Sequence, residues 1–133
     1  MPQDLELEIR IIKTFVVLKD KQKRFIQFVQ SNKNRQKFIR ELAHFSHFET
    51  KLFTRLDGNK THVIDAIGRS NNLKDNCYVI SESVDFDRKV MPLDEALELV
   101  VGYQMGTILV LNQGRNIYYE GEGQNECYLS KPA

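Results

Sequence analysis

Apolar residues recur at helical spacing through the first third of the chain. Leu5, Ile9, Ile12 and Val16 form one row, and Leu7, Ile11 and Leu18 a second, so residues 5–18 predict a helix buried on two sides. The alternation Leu5, Leu7, Ile9, Ile11 also fits a strand. Over 21–30, Phe25, Ile26 and Val29 share one side, with Lys23, Arg24 and Gln27 away from it; over 34–45, Phe38, Leu42 and Phe45 come together. Were 21–45 one helix, its apolar stripe would jump to roughly the opposite side near residue 31, at about 100° per residue. That phase break, with the cap-type residues Ser31, Asn32 and Asn34, predicts two helices and a turn.

The pattern changes after His47. Residues 51–56 read as a short strand, Asp57-Gly58-Asn59 as a turn, 61–69 as a short helix with Val63, Ile64 and Ile67 inside, and 77–81 as a strand. A helix is predicted over 92–101. Pro92 suits its first turn, Asp94 and Glu95 its positive end, and Gly102 its C-cap, with Leu93, Ala96, Leu97 and Val100 as the buried face. Strands at 106–111, 116–120 and 126–130 follow, joined by Asn112-Gln113-Gly114 and by 121–125. The order predicts an α+β fold, N-terminal helices packed on a small, mostly antiparallel sheet that ends in a three-stranded meander. One domain is expected over 1–133, helical over about 3–47 and mixed over about 48–133.

Strand alternation in the meander assigns Ile117, Tyr119, Cys127 and Leu129 to the core. Tyr118, Glu120 and Tyr128 are then expected on a partly exposed face, with Arg115 at the turn. Tyr and Arg are enriched at interface hot spots, so this face is a candidate protein-contact surface; ordinary β-propensity on a half-wet sheet explains the same residues.

Charge is unevenly spread, although the net charge is only +1. Eight Lys or Arg stand against Asp20 alone between Lys19 and Arg40, whereas from Pro92 onward six acids face only Arg115 and Lys131. Separated charge orients encounters with charged partners. Lys33, Lys37, Arg40 and His44 are spaced to share one stripe opposite Phe38 and Leu42, and Lys23 and Arg24 add to it from the preceding helix. The stripe could hold an anionic partner, but the solvated face that any amphipathic helix needs is the favoured explanation. A nucleic-acid module usually has a pI above about 9, and here the value is 7.8. The stripe also lacks interleaved aromatics for base stacking. Nucleic acid is therefore the less favoured partner.

Motifs that specify chemistry are missing. Glu41, His44 and His47 have Glu-x-x-His spacing, but no second ligand set accompanies them, so no metal is expected. Cys77 and Cys127 read as small buried free thiols, without a local signature of nucleophilic catalysis. No phosphate-cradling glycine loop, nucleophile elbow or dinucleotide fingerprint occurs, so neither catalytic residues nor a cofactor are assigned. The start MPQDLELEIR is acidic and unlike a signal peptide, and IIKTFVVL is too short to span a bilayer, which predicts a cytoplasmic protein without membrane contact.

The stretches NCYVISE from Asn76, PLDEALELVVGYQMGTI from Pro92 and the YYEGE run that follows Gly114 resemble a group of small bacterial proteins with no established activity. The resemblance covers about half the chain. It implies a compact bacterial-type cytoplasmic domain and assigns no site residue. The functional expectation is a non-enzymatic binding or regulatory protein acting through protein contacts through Lys33, Lys37, Arg40, His44, Arg115, Tyr118 and Tyr128. A homodimer through the sheet face or edge is compatible with it. Nucleic-acid binding through the basic helices is the alternative, and a small metal-dependent enzyme the second alternative.

Overall fold

A computed structural model describes residues 3–16, 18–41, 45–123 and 126–131. Three helices lead the chain: α1 (Leu5–Phe15), α2 (Lys19–Val29) and α3 (Arg35–Glu41). Strand β1 (Phe53–Leu56) and helix α4 (Lys60–Gly68) come next. They precede β2 (Asn76–Ser81), β3 (Val90–Pro92), α5 (Leu93–Val100) and the meander β4 (Thr107–Leu111), β5 (Asn116–Glu120) and β6 (Cys127–Ser130). The α+β expectation holds. All neighbours in the six-stranded sheet are antiparallel, in the order β1-β6-β5-β4-β2-β3.

The sheet is covered on both faces. Tyr78, Ile80, Ile108, Val110, Ile117 and Tyr119 meet Ile11, Ile12, Phe15, Phe25, Val29 and Phe38 from α1–α3. Cys77, Val79, Leu109, Leu111, Tyr118 and Cys127 meet Val63 and Ile67 of α4 and Leu93, Ala96, Leu97 and Val100 of α5. Every residue of β4 and β5 is consequently buried. This corrects the expected exposed tyrosine face. Tyr118 is fully buried under α4 and α5, and Glu120 is 2% exposed. The register also differs by one: Tyr119 pairs with Tyr128, and Glu120 with Cys127. Tyr128 therefore lies on the α1–α3 side, half-buried against that core, and Leu129 on the α4–α5 side.

The helices follow their apolar stripes. In α1 a single stripe of Glu8, Ile11, Ile12 and Phe15 is buried, while Leu5 and Leu18 stay exposed, so the expected burial on two sides is corrected. The break near residue 31 is a turn over 30–34, as expected. It contains Lys33, which thus precedes α3 rather than lying on it. In α5, Pro92 occupies the N-cap and Gly102 takes φ +88 just past the end. The edge strands are short, four residues in β1 and three, ending in Pro92, in β3, a form that discourages edge pairing.

Candidate functional site

The basic surface is built around Phe28. Phe25 and Val29 turn α2 onto the core, which leaves Lys23, Arg24 and Gln27 exposed and Phe28 half-buried at the boundary. Arg24 precedes Phe28 by one helical turn, and its guanidinium carbon lies 5.5 Å from the ring centroid. The short 30–34 turn folds α3 back beside α2, and Lys37 Nζ comes to 5.7 Å from the same ring. Cations over an aromatic face are attracted by its quadrupole, by about 0.5–1 kcal/mol at exposed sites. Phe28 thereby ties the charges of two helices into one patch. Lys33 and Arg40, both exposed, continue it along the turn and α3. Among the described residues, no ion pair involves Lys23, Arg24, Lys33, Lys37 or Arg40.

Arg35, counted with the basic residues in the sequence, leaves the surface altogether. It is fully buried on the inner stripe of α3 with Phe38 and Ile39. Its guanidinium donates to Glu8 through Nε at 3.1 Å and Nη2 at 2.7 Å. It also donates to Asp87 through Nη1 and, at 3.0 Å, Nη2. Glu8, itself fully buried, further accepts from the Tyr78 hydroxyl at 2.6 Å and from Gln3 Nε2 at 2.7 Å. Burial alone would lower the Arg35 pKa; the hydrogen bonds and charges of Asp87 and Glu8 outweigh it and hold the group above its ordinary value. Tyr78 is likewise pushed up, by burial and by Glu8. The network joins α1, α3, β2 and the β2–β3 loop, so it anchors the helix that carries Lys37 and Arg40. A signal for it exists in the sequence. Glu8 precedes Ile11, Ile12 and Phe15, and Arg35 precedes Phe38 and Ile39, with the same i, i+3, i+4 spacing. Two opposite charges on two apolar stripes mark a buried pair.

The other predicted residues do not join the patch. His44 lies outside the described residues. Arg115 is exposed in the β4–β5 turn and lines a separate polar cleft. Tyr118 cannot meet a partner from its buried position; its hydroxyl donates to Glu120 at 2.9 Å. That carboxylate also accepts the backbone N–H groups of Gly102 at 3.1 Å and Gln104 at 2.9 Å, and so fastens the α5–β4 loop. Glu41 and His47 do meet, at 2.7 Å, and His47 packs edge-on against Phe25. Among the described residues no three His, Cys, Asp or Glu gather in a way that could hold a metal. Cys77 and Cys127 are buried free thiols, and burial pushes Cys77 up to about 12 and Cys127 above its ordinary value, away from nucleophilic use. No described helix is long and apolar enough to cross a membrane.

Compared with protein-family models, with curated proteins and with solved structures, the chain matches none.

Proposed function

We propose that this chain is a non-enzymatic cytoplasmic binding protein that engages an acidic partner protein through the α2–α3 face. The observation that carries the reading is the convergence of Arg24 and Lys37 on Phe28. It supports one positive patch with Lys23, Lys33 and Arg40 where separate solvated helices would scatter their charge. Cations set over a half-buried aromatic ring place charge beside apolar area, which suits a protein surface with carboxylates around an apolar centre.

Nucleic acid is the second reading, because a converged patch also fits a phosphate backbone. Two features weigh against it. The Phe28 ring is engaged by two cations and is not free to stack a base. The sequence pI of 7.8 also lies below the value above about 9 that is usual for a nucleic-acid module.

The test compares a fluorescent oligo-glutamate peptide with a mixed-sequence duplex. Each is titrated with the wild-type chain and with the triple variant Lys33→Glu, Lys37→Glu, Arg40→Glu, at low and at physiological salt. The proposal expects saturable peptide binding that the variant loses, with duplex binding fading at physiological salt. Tighter duplex binding that persists at that salt, and is lost in the variant, establishes the second reading instead.

A further inference from the structure

A cleft of about 600 Å³ opens at the end of the sheet where β2 and β5 begin, within the size range of small-molecule sites. One wall comes from the α4–β2 connection, with Ser70, Asp75 and Asn76; the other comes from the β4–β5 turn, with Gln113, Arg115 and Asn116. The lining is polar throughout and independent of the basic helical face.

The hydrogen-bond donors in it are held ready. Asn116 is only 3% exposed. Its Oδ1 accepts from Ser130 Oγ, which in turn accepts the Ile117 N–H at 2.8 Å, so the carboxamide is fixed in orientation. Its Nδ2 donates to no described residue. Among those residues no fully buried polar side-chain atom lacks a partner, so Nδ2 keeps its contact with solvent, and Asn116 surfaces in the cleft. Next to it, Arg115 is exposed and forms no ion pair among the described residues.

The turn that presents them is strained and braced. Asn112 and Gln113 sit at φ 48 and 57, left-handed backbone that asparagine tolerates and glutamine seldom adopts, and Gly114 follows at φ 93. Arg10 Nη1 donates to the Gln113 carbonyl at 2.7 Å from one side, and Asn112 Nδ2 to Asn71 Oδ1 at 2.8 Å from the other. A side chain at position 114 would meet Arg10 Cδ at 2.9 Å. The fold thus holds an unfavourable turn in one shape against the cleft.

From this geometry we infer that the cleft binds a small polar monocarboxylate, with Arg115 and the Asn116 amide taking its carboxylate. A guanidinium and an amide N–H that line one cleft can together donate to the two oxygens of that planar group. Among the described residues Arg115 is the one cation lining the cleft, and Asp75 lines it too, which disfavours a doubly charged phosphate ester. Asp75 and the amides of Asn76 and Gln113 remain to accept from hydroxyl or ammonium groups on the rest of the ligand. A sugar acid and a free amino acid both carry that chemistry.

The test follows backbone and Asn side-chain amide resonances of the full chain by NMR. Glucuronate, L-serine, glucose and inorganic phosphate are titrated separately to about 20 mM, enough to saturate a millimolar site. The expected result is a saturable shift of the Asn116 side-chain amide and of residues near 75 and 115, with glucuronate or with serine. The responding compound tells the sugar-acid source from the amino-acid source. Arg115→Gln, at an exposed position, should weaken that binding about tenfold or more while the remaining spectrum stays native. No saturable shift with either carboxylate, equal affinity in Arg115→Gln, or preferential response to phosphate or glucose would overturn the inference.

Discussion

Arg35 shows what a single side chain decides. It faces two carboxylates, the fully buried Glu8 and Asp87, whose side chain is 10% exposed, and the Tyr78 hydroxyl and Gln3 amide help to satisfy Glu8. Removing one member of such a set leaves uncompensated buried charge, which costs about 3–5 kcal/mol. Arg35→Met should therefore lower unfolding stability in urea by about that amount. Arg35→Lys should rescue little, because one ammonium cannot reproduce a fork that reaches Glu8 and Asp87 together. A loss under about 1 kcal/mol for Arg35→Met would show that the network is not a net support of the fold. The network was only half legible in the sequence. The spacing of Glu8 and Arg35 within their own helices was there to be read. Their meeting was not, because Arg35 lies 27 residues from Glu8 and 52 from Asp87.

Among the elements, α5 was readable almost to the residue, because its stripe, its N-terminal proline and its terminal glycine all agree. Leu97 is fully buried, so Leu97→Asp should unfold the chain by placing an unpaired carboxylate in the core. Glu98 is exposed and pairs with Lys60 only at 3.7 Å, so Glu98→Lys should shift a thermal melt by little, in keeping with the 0–1 kcal/mol of surface pairs. Equal melts for the two variants would contradict the helix phase. The meander is the opposite case. Its strands are legible in the sequence, but simple alternation turns the polar members of NIYYE toward water. The fully apolar neighbour TILVL was the better guide, since a run without alternation marks a strand covered on both faces. Glu120 is tolerated there because two backbone N–H groups and Tyr118 satisfy it. Glu120→Gln, with one carbonyl oxygen in place of two, should cost about 1–3 kcal/mol and loosen the 101–106 loop, read as faster amide exchange at Gly102 and Gln104.

For the whole molecule, the two covered faces bury groups that resist losing protons. Burial raises Cys77 from its ordinary 9.0 to about 12, and it also lifts Tyr118 and Tyr119 above their ordinary 10.0. The unfolded chain gives up these protons at lower pH than the folded chain does. Between the ordinary and the raised values the folded state holds more protons, so stability falls as pH rises. Denaturation midpoints should accordingly stay level up to about pH 9 and then decline steadily toward pH 12, with Cys77→Ala making the decline shallower while Cys127 still contributes to it. A midpoint unchanged through that window would contradict the burial of these groups.

The same layering also separates the basic α2–α3 helices from the acidic α5 by the full sheet, and the proposed function requires that the basic side be the one a partner meets. The most direct measurement of that claim is an NMR titration of the full chain with the oligo-glutamate peptide at physiological salt. The account predicts saturable shifts centred on Lys23, Arg24, Phe28, Lys33, Lys37 and Arg40, with β1, β3 and α5 unmoved. Shifts centred on a sheet edge or on α5, or none that saturate, would contradict it.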